Sequence, residues 1–331
     1  MEMKVLITGG IGCIGLALAK KLKEKKINFI CYDLPEKIIQ LQSMGIKPPP
    51  FIAGSILDRT LLENSMKKVT HVIHLAAHLG VSRTEIQKKI CLDVNIIGSK
   101  NVIETADAFG VSNFVNASSS EVYGRPNKKK ITEEDATQGF SVYAVSKLAS
   151  EELLKAQAQI SPNGLVGYNL RLFNTFGPYQ VAQFAIPKFL SAVKNKNKII
   201  INGTGKQIRS YCYVDDTVEA ILKCLIKKPK RNEIITLNIG NPNNQINLLN
   251  LAKKVVKLSK TNFKNIKVLG NFKNTDRIEN REINYRVCSI DKAKKLINFK
   301  PKVSLEKGIF NILNDFNIIS SWPTENYSLE K

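Results

Sequence analysis

A glycine-rich turn near the N-terminus constrains the fold of this chain more than any other feature. The apolar run Lys4 to Thr8 leads into TGGIGCIG, where Gly9, Gly12 and Gly15 form GxxGxxG at the start of a helical pattern. Glycine permits the tight turn, lets the backbone approach a pyrophosphate and lets the helix pack close to the strand. The helix N-terminus would offer free amides to the phosphates. The turn therefore predicts a dinucleotide-binding α/β unit.

An acidic residue at the end of the second apolar run indicates which dinucleotide is bound. Asp33 lies eighteen residues beyond Gly15. At this position a carboxylate can accept hydrogen bonds from the adenosine ribose hydroxyls and repels a 2′-phosphate. The pattern favours NAD over NADP, although Lys37 lies nearby.

Short apolar runs alternate with amphipathic segments through the first half of the chain, which predicts a parallel sheet covered on both faces. We predict an α/β fold, a Rossmann-type doubly wound parallel sheet with a smaller C-terminal α/β lobe. The predicted domains are residues 1–175, which bind the dinucleotide, and 176–331, which bind substrate, with the chain recrossing between them. The predicted strands are Lys4 to Thr8, Asn28 to Asp33, Phe51 to Ala53, His71 to Leu75, Asn113 to Ala117 and Leu165 to Leu172; the predicted helices are Ile14 to Lys26, Lys88 to Phe109 and Val142 to Ala158.

Composition excludes several other classes of protein. The chain has 331 residues, 43% of them hydrophobic, and no apolar stretch long enough to cross a bilayer, so we expect no membrane role. The first apolar run is too short for a signal peptide, and the six cysteines form no CxxC pair, so we expect a cytoplasmic protein with reduced thiols. The three histidines lie in or near a predicted strand, with residues three apart on opposite faces, so we expect no metal.

The net charge of +22 raises the question of nucleic-acid binding. Residues 251–300 carry 14 basic and 4 acidic residues, so +10 of the excess lies in that window. The basic residues are not interleaved with aromatic side chains as single-strand binding requires. We therefore expect no nucleic acid as partner, and interpret the charge as attraction for anionic substrates.

A tyrosine and a lysine share one face of a later helical pattern. Tyr143 and Lys147 form YxxxK, and the four-residue spacing brings both side chains to the same side. Upstream, a predicted strand runs into SSSEVYG, which places Ser119, Ser120 and Glu121 at its carboxyl end, where open parallel sheets bind ligands.

This pattern suits removal of a proton and a hydride from the same carbon. A phenol with a pKa near 10 is a poor base at neutral pH, so it needs a neighbouring ammonium, and the positive ring of NAD, to favour the phenolate. We expect Tyr143 to take a proton from a sugar hydroxyl, Lys147 to lower the pKa of Tyr143, and Ser119 to hold the hydroxyl in line.

These motifs together resemble the extended short-chain dehydrogenases/reductases of the NAD-dependent nucleotide-sugar epimerase/dehydratase family. The similarity runs from Val5 to about Phe316, and further family landmarks follow in order: HLAA (His74 to Ala77), NIIGSKN (Asn95 to Asn101), RLFNTFGP (Arg171 to Pro178), GKQIRSYCYVDD (Gly205 to Asp216), LNIGNP (Leu237 to Pro242) and SIDKAKKL (Ser289 to Leu296).

The resemblance implies a site residue by residue. Asn95 would brace the catalytic helix, and Asn174, Arg209 and Arg281 would hold the nucleotide diphosphate, where arginine forks suit phosphate oxygens. It also implies a nucleotide-diphosphate sugar as substrate, with a UDP-sugar favoured, and a homodimer through a helix bundle. The implied cofactor site comprises Gly9, Gly12, Cys13, Ile14, Gly15, Asp33, Ile56, Leu75, Ala76, Ala77, Asn95, Tyr143 and Lys147.

The members of such a family share oxidation of a sugar carbon, usually carbon 4, and then diverge. We expect a 4-epimerase first, because epimerisation demands the fewest residues. A 4,6-dehydratase with Glu121 as base is the next alternative, although Ser120 replaces the aspartate of the common dehydratase pattern. A decarboxylase of the UDP-glucuronate type and a carbon 4 dehydrogenase follow. A non-catalytic NAD-sensing regulator is the alternative from another class, but such proteins usually lose the tyrosine or lysine that this chain keeps.

Overall fold

The computed structural model describes residues 2–126, 128–260, 265–271 and 283–315. The first part of the chain alternates strands and helices: β1 (Lys4–Thr8), α1 (Cys13–Glu24), β2 (Asn28–Asp33), α2 (Pro35–Ser43), β3 (Phe51–Ala53), α3 (Arg59–Met66), β4 (His71–His74), α4 (Val81–Ile86), α5 (Lys88–Leu92), a π-helical turn (Asp93–Gly98), α6 (Ser99–Ala108), β5 (Asn113–Ser119), a 3₁₀ turn (Ser120–Tyr123), α7 (Val142–Ile160) and β6 (Gly167–Leu172).

The second part has shorter elements. They are β7 (Thr175–Phe176), α8 (Ala185–Lys194), β8 (Ile199–Ile201), β9 (Ile208–Ser210), β10 (Cys212–Tyr213), α9 (Val214–Ile226), β11 (Ile234–Ile239), a 3₁₀ turn (Pro242–Asn244), β12 (Gln245–Asn247), α10 (Leu248–Leu258), β13 (Ile266–Val268), β14 (Tyr285–Arg286), α11 (Asp291–Ile297) and α12 (Leu305–Asp315).

Seven strands form one sheet in the order β11-β6-β5-β4-β1-β2-β3, and every pair in it is parallel. Helices cover both faces, so the central strand β1 is apolar throughout its middle, and Val5, Leu6 and Ile7 are completely buried. The chain builds outward from β1 in one direction and from β4 in the other. The resulting crevice lies where ligands bind in open α/β sheets.

The last strand of this sheet comes from the second half of the chain. β11 pairs with β6 along its whole length, from Ile234 beside Gly167 to Ile239 beside Leu172. The intervening segment leaves the sheet and contributes to a small lobe. In that lobe β9 pairs with β12 and β14, and β8 pairs with β13. Within the described ranges, no helix has the length and apolar character needed to span a membrane.

The helix predicted from Lys88 to Phe109 is wrong as a single element. The structure divides it into α5, the π-helical turn and α6. The π turn holds Asn95, whose side chain bonds the backbone of His78 in both directions: its Oδ1 accepts from the amide at 2.7 Å and its Nδ2 donates to the carbonyl at 3.0 Å. Periodicity does not reveal such a break, because the apolar spacing changes by only one residue per turn.

Candidate active site

A cavity of about 870 Å³ opens at the carboxyl ends of the central strands and extends beneath the small lobe. It brings together most of the residues that the sequence predicted for cofactor, chemistry and substrate. Those that line it are Gly9, Gly12, Cys13, Ile14, Gly15, Asp33, Ile56, Leu75, Ala76, Ala77, Ser119, Ser120, Glu121, Tyr143, Asn174 and Arg209. Lys147 and Asn95 lie behind this lining, and Arg281 lies outside the described residues.

The glycine-rich turn fits a dinucleotide phosphate group. A Cβ at Gly15 would lie 2.5 Å from the Gly10 carbonyl oxygen, and one at Gly9, where φ is +70°, would lie 2.6 Å from the Ala76 nitrogen. Gly12 is the N-cap of α1 and no side chain caps the helix there. The first amides of α1 are therefore available to an anion at the cavity wall.

Asp33 ends β2 and lines the cavity. Its carboxylate accepts from the amide of Ile11 at 2.8 Å and from that of Leu34 at 2.9 Å, so its orientation is fixed. Burial raises the pKa of Asp33, while these two amides and the charge of Lys37 oppose the rise. A carboxylate oxygen has two lone pairs, so each oxygen can accept one further hydrogen bond, as two ribose hydroxyls require.

The end of β5 meets the first turns of α7. Ser119 hydrogen-bonds the Tyr143 phenol, and the Ala117 carbonyl accepts from Lys147 Nζ at 2.8 Å. Ser141 caps α7 by accepting from the amide of Ala144 at 3.1 Å, which starts the helix just before the tyrosine. The strand end and the helix start thus hold the tyrosine and lysine in one geometry.

Burial shifts the pKa values of both members of this pair. Burial raises the pKa of the Tyr143 phenol, Glu121 raises it further, and the bond with Ser119 opposes the rise. Burial lowers the pKa of Lys147 to about 8, opposed by Cys91 and Glu151. The Lys147 ammonium donates to the Ala117 carbonyl and lies 5.9 Å from the centre of the Tyr143 ring.

An arginine from the small lobe reaches the catalytic strand end. Arg286 Nη1 donates to Glu121 Oε1 at 2.7 Å, with 7% of the arginine side chain and 31% of the glutamate side chain exposed. Both residues line the cavity, as does Arg209, which is the register partner of Arg286 where β14 pairs with β9. Two guanidinium groups therefore face one cavity from neighbouring strands. Arg209 also donates to the Ile208 carbonyl at 2.9 Å.

Other predicted residues have supporting positions. Asn95 Nδ2 donates to Ser146 Oγ on α7 at 2.9 Å, so it links the catalytic helix to the loop after β4. Asn174 has a φ of +41°, and its side-chain amide donates to the Ser210 carbonyl at 2.9 Å. His74 is bonded at both ring nitrogens, to Thr8 Oγ1 at 2.6 Å and to Ser99 Oγ at 2.9 Å, so its role is to join β1 and α6 to β4.

Arg286 was not predicted from the sequence. It lies in a two-residue strand shortly before the SIDKAKKL landmark, and its pairing with β9 brings it to the cavity. Its one sequence signal is an arginine three residues before Ser289. The segment after β7, where Tyr179, Gln180 and Phe184 line the cavity, was not predicted either. Nothing in the sequence around it distinguishes this lining from an ordinary loop.

Comparison with known proteins agrees with this geometry. Residues 5–240 match the model of the NAD dependent epimerase/dehydratase family. A dTDP-D-glucose 4,6-dehydratase of Dictyostelium discoideum is 32% identical over 278 residues, which are 77% of this chain and 62% of that protein. A UDP-N-acetyl-alpha-D-glucosaminuronate decarboxylase of Bacillus cytotoxicus is 30% identical over 336 residues, covering 97% of this chain and all of that protein.

The fold is shared with solved members of the same group. The crystal structure of UDP-glucose 4-epimerase with UDP-glucose from Thermotoga maritima superimposes with a TM-score of 0.82 at 27% identity, covering 95% of this chain and 98% of that one. The predicted Rossmann-type fold, the predicted enzyme class and the prediction of NAD are thereby confirmed. The chain belongs to the NAD dependent epimerase/dehydratase family.

Proposed function

We propose that this enzyme oxidises carbon 4 of a nucleotide-diphosphate uronic acid and then releases the sugar carboxylate as carbon dioxide. The observation that carries this choice among the family's reactions is the Arg286–Glu121 pair in the cavity. A guanidinium beside the reacting sugar suits a substrate whose carbon 6 is a carboxylate, because arginine binds carboxylates through two parallel hydrogen bonds.

Arg286 has hydrogen-bond donors available for such a substrate. Its Nη1 donates to Glu121, and its buried Nε has no hydrogen-bond partner among the described residues. A buried donor without an acceptor is costly, so a ligand that supplies one is favoured. Glu121 fixes the guanidinium at the strand end that also carries Ser119. The carboxylate of a bound uronate would complete the hydrogen bonding of Arg286.

The remaining residues have defined tasks in this reaction. Tyr143 Oη takes the proton of the 4-hydroxyl group, which Ser119 Oγ holds in line. Bound NAD would supply the hydride acceptor for carbon 4, the hydride donor for the later reduction, and a positive ring that favours the phenolate of Tyr143. The ketone at carbon 4 would make the substrate a β-keto acid, so that loss of carbon dioxide leaves an enolate, which takes up a proton from water at carbon 5. During this loss the electrons of the breaking carbon 5 to carbon 6 bond flow toward the ketone oxygen. Ser119 and Tyr143 lie where that oxygen develops charge.

The nucleotide diphosphate has its own candidate groups. Arg209 lies on β9 beside Arg286, and the net charge of the chain is strongly positive. We propose that Arg209 binds the phosphates and that Arg286 binds the sugar carboxylate. A UDP-sugar is proposed because the Bacillus cytotoxicus decarboxylase and the Thermotoga maritima epimerase are both described with UDP-sugars.

A 4-epimerase is the second candidate. Ser120 stands where an acid would assist departure of a hydroxyl group, which disfavours the 4,6-dehydratase. Epimerisation needs only Tyr143, Ser119 and space for the keto-sugar to turn, and the large cavity provides space. In that case Arg286 would still recognise a substrate carboxylate, but the bond between carbons 5 and 6 would remain.

Incubation of the purified enzyme with NAD and separate nucleotide sugars tests the proposal, with the products weighed by mass spectrometry. We expect a UDP-uronate to lose one carbon dioxide, and UDP-hexoses with a carbon 6 hydroxyl to remain unconverted. A uronate product of unchanged mass would favour the epimerase. Loss of water from a hexose, or net loss of two hydrogens, would contradict both readings.

Two further properties are proposed. A second copy of the chain would pack on the helices that flank the site, where Leu92, Ile97 and Val145 expose 37%, 50% and 47% of their surface. All six cysteines are free thiols, which fits a reducing compartment such as the cytoplasm. Size-exclusion chromatography with light scattering tests the dimer.

A further inference from the structure

A second buried ion pair lies one helical turn beyond the catalytic lysine. Arg171 on β6 donates to Glu151 on α7 from Nη2 at 2.8 Å and from Nε at 3.0 Å, so the contact is bidentate. The glutamate side chain is completely buried and 6% of the arginine side chain is exposed. Neither residue lines the cavity. Apolar side chains of similar volume would stabilise the fold as well as this ion pair does. The presence of a buried pair here therefore suggests a role other than stability.

The pair is built into the same strand–helix contact as the catalytic residues. Ser118 is the register partner of Arg171 across β5 and β6, and its hydroxyl donates to Glu151. Tyr143, Lys147 and Glu151 are spaced four residues apart on α7, so they share one helix face. Three successive residues of β5 therefore contact this helix face. Ala117 bonds the Lys147 ammonium, Ser118 bonds the Glu151 carboxylate and Ser119 bonds the Tyr143 phenol.

Few groups around Lys147 can favour its charged form. Among the residues that the structure describes, the titratable side chains that act on it or feel its charge are His74 from β4, Cys91 from α5, and Tyr143 and Glu151 from its own helix. Burial lowers the pKa of His74 to about 3 and raises the pKa of Cys91, so these two are neutral near pH 8. Glu151 is then the carboxylate that opposes the desolvation of the lysine.

Arg171 holds that carboxylate in place. Its guanidinium lies 4.8 Å from the centre of the Tyr123 ring, which is a second contact that fixes it. Arginine stays protonated in proteins, and its planar fork suits two hydrogen bonds to one carboxylate. The same pair with lysine in place of arginine would lack the second hydrogen bond.

We propose that the buried Glu151–Arg171 pair is a positioning device that keeps Lys147 protonated in a desolvated site. This inference rests on the proposed function at one point, because oxidation of carbon 4 needs a charged Lys147. The pair touches neither cavity nor substrate, and it acts through the lysine alone.

The test measures Lys147 directly, without substrate or cofactor. Trace acetylation with acetic anhydride over a pH series, followed by peptide mass spectrometry, reports the neutral fraction of this amine, with the other lysines as internal reference. We expect the Lys147 midpoint near pH 8 in the unchanged protein. Glu151→Gln should lower it by about one pH unit, a tenfold change in the ratio of the two forms.

Companion variants separate charge from packing. Glu151→Gln leaves Arg171 buried without its carboxylate, which can prevent folding. If the single variant does not fold, the midpoint is measured instead in the double variant Glu151→Gln with Arg171→Met. It should also lower the midpoint, since it removes the carboxylate that shares a helix face with Lys147. Glu151→Asp should keep the midpoint close to that of the unchanged protein. Asp107→Asn is the matched control, because Asp107 is a buried carboxylate that accepts from Gln157 at 2.6 Å, remote from Lys147.

The same variants have an activity signature if a substrate is in hand. The alkaline limb of the pH profile of kcat should move to lower pH in Glu151→Gln while KM stays within about twofold. An unchanged Lys147 midpoint in a folded Glu151→Gln or double variant overturns the inference. A lowered midpoint together with no conversion of any nucleotide sugar would leave the inference standing and refute the proposed function.

Discussion

Arg286 and Glu121 lie 165 residues apart in the chain and meet at 2.7 Å inside the cavity. Their contact joins the small lobe to the end of the catalytic strand. It is reinforced nearby by backbone bonds in which Ile131 donates to the Val287 carbonyl at 2.9 Å and accepts from the Ser289 amide at 2.7 Å. The arginine that we propose to bind the sugar carboxylate is thus fixed relative to the end of β5, which carries Ser119.

Replacing this arginine tests its assignment to the sugar carboxylate. Arg286→Met should lower kcat/KM for a UDP-uronate by about tenfold to a hundredfold, because a hydrogen bond to a charged group is lost. Arg59→Met is the matched control, since Arg59 pairs with Glu63 and Glu104 on the surface. Steady-state kinetics with each variant check this. Equal kcat/KM in the Arg286 variant would remove the basis for a uronate substrate.

Removing one hydroxyl group tests the proposed base. Tyr143→Phe should reduce kcat by about 10²- to 10⁴-fold, the usual contribution of a positioned acid or base, and leave the affinity for NAD unchanged. Tyr285→Phe is the control, because that hydroxyl donates to Gln245 on the exposed surface. Turnover measurements and a fluorescence titration with NADH separate the two effects. Retained turnover in Tyr143→Phe would show that Tyr143 is not the base.

The second and third glycines of the GxxGxxG turn should respond differently to the same substitution. Gly12→Ala adds a methyl group with nothing nearer than 3.4 Å, at a backbone conformation that alanine adopts, so the free energy of unfolding should change little. The methyl group would occupy pyrophosphate space, so the Kd for NAD should rise by at least about tenfold.

Gly15→Ala forces a methyl group to 2.5 Å from the Gly10 carbonyl oxygen and should destabilise the fold by about 1–3 kcal/mol. Denaturant titrations and NAD binding on both variants check the contrast. Parallel losses of stability and affinity in the two proteins would contradict it.

The buried histidine predicts an acid-sensitive fold. Burial lowers the pKa of His74 to about 3, below the value of about 6.5 for the unfolded chain. Between these two pH values the unfolded state therefore binds a proton that the folded state does not bind. Stability from this group is complete above pH 6.5 and falls as the pH drops toward 3. At pH 5 the loss is about 2 kcal/mol.

Urea titrations at pH 8 and pH 5 measure this loss, and comparison with His74→Gln isolates it from other groups. Burial also lowers the pKa of His71, to about 4, so the variant should retain part of the pH dependence. An identical pH dependence in the variant would show that His74 is not the group concerned.

Local chemistry allowed much of the fold to be predicted. The strands Lys4–Thr8, Asn28–Asp33 and Phe51–Ala53 match their predicted limits, because a buried parallel strand is a short apolar run bounded by turn residues. Asp33 and the glycine turn could be predicted as parts of the cofactor site, because strand ends and helix N-termini bind the ligand in such folds.

What sequence analysis could not supply depends on contacts distant in the chain. Arg286 reaches the cavity only because β14 pairs with β9, and a two-residue strand leaves no periodic signal. Likewise the spacing of Tyr143 and Lys147 predicts a shared helix face but not that the Ala117 carbonyl binds the ammonium, nor that burial raises the pKa of the phenol.

Stopped-flow absorbance of reduced nicotinamide is the most direct test of oxidation at carbon 4 in this cavity. After the NAD-loaded enzyme is mixed with a UDP-uronate, we predict that the signal rises and then decays, that deuterium at carbon 4 slows the rise, and that Tyr143→Phe abolishes it. Product formation with no transient signal and no effect of deuterium would contradict the account.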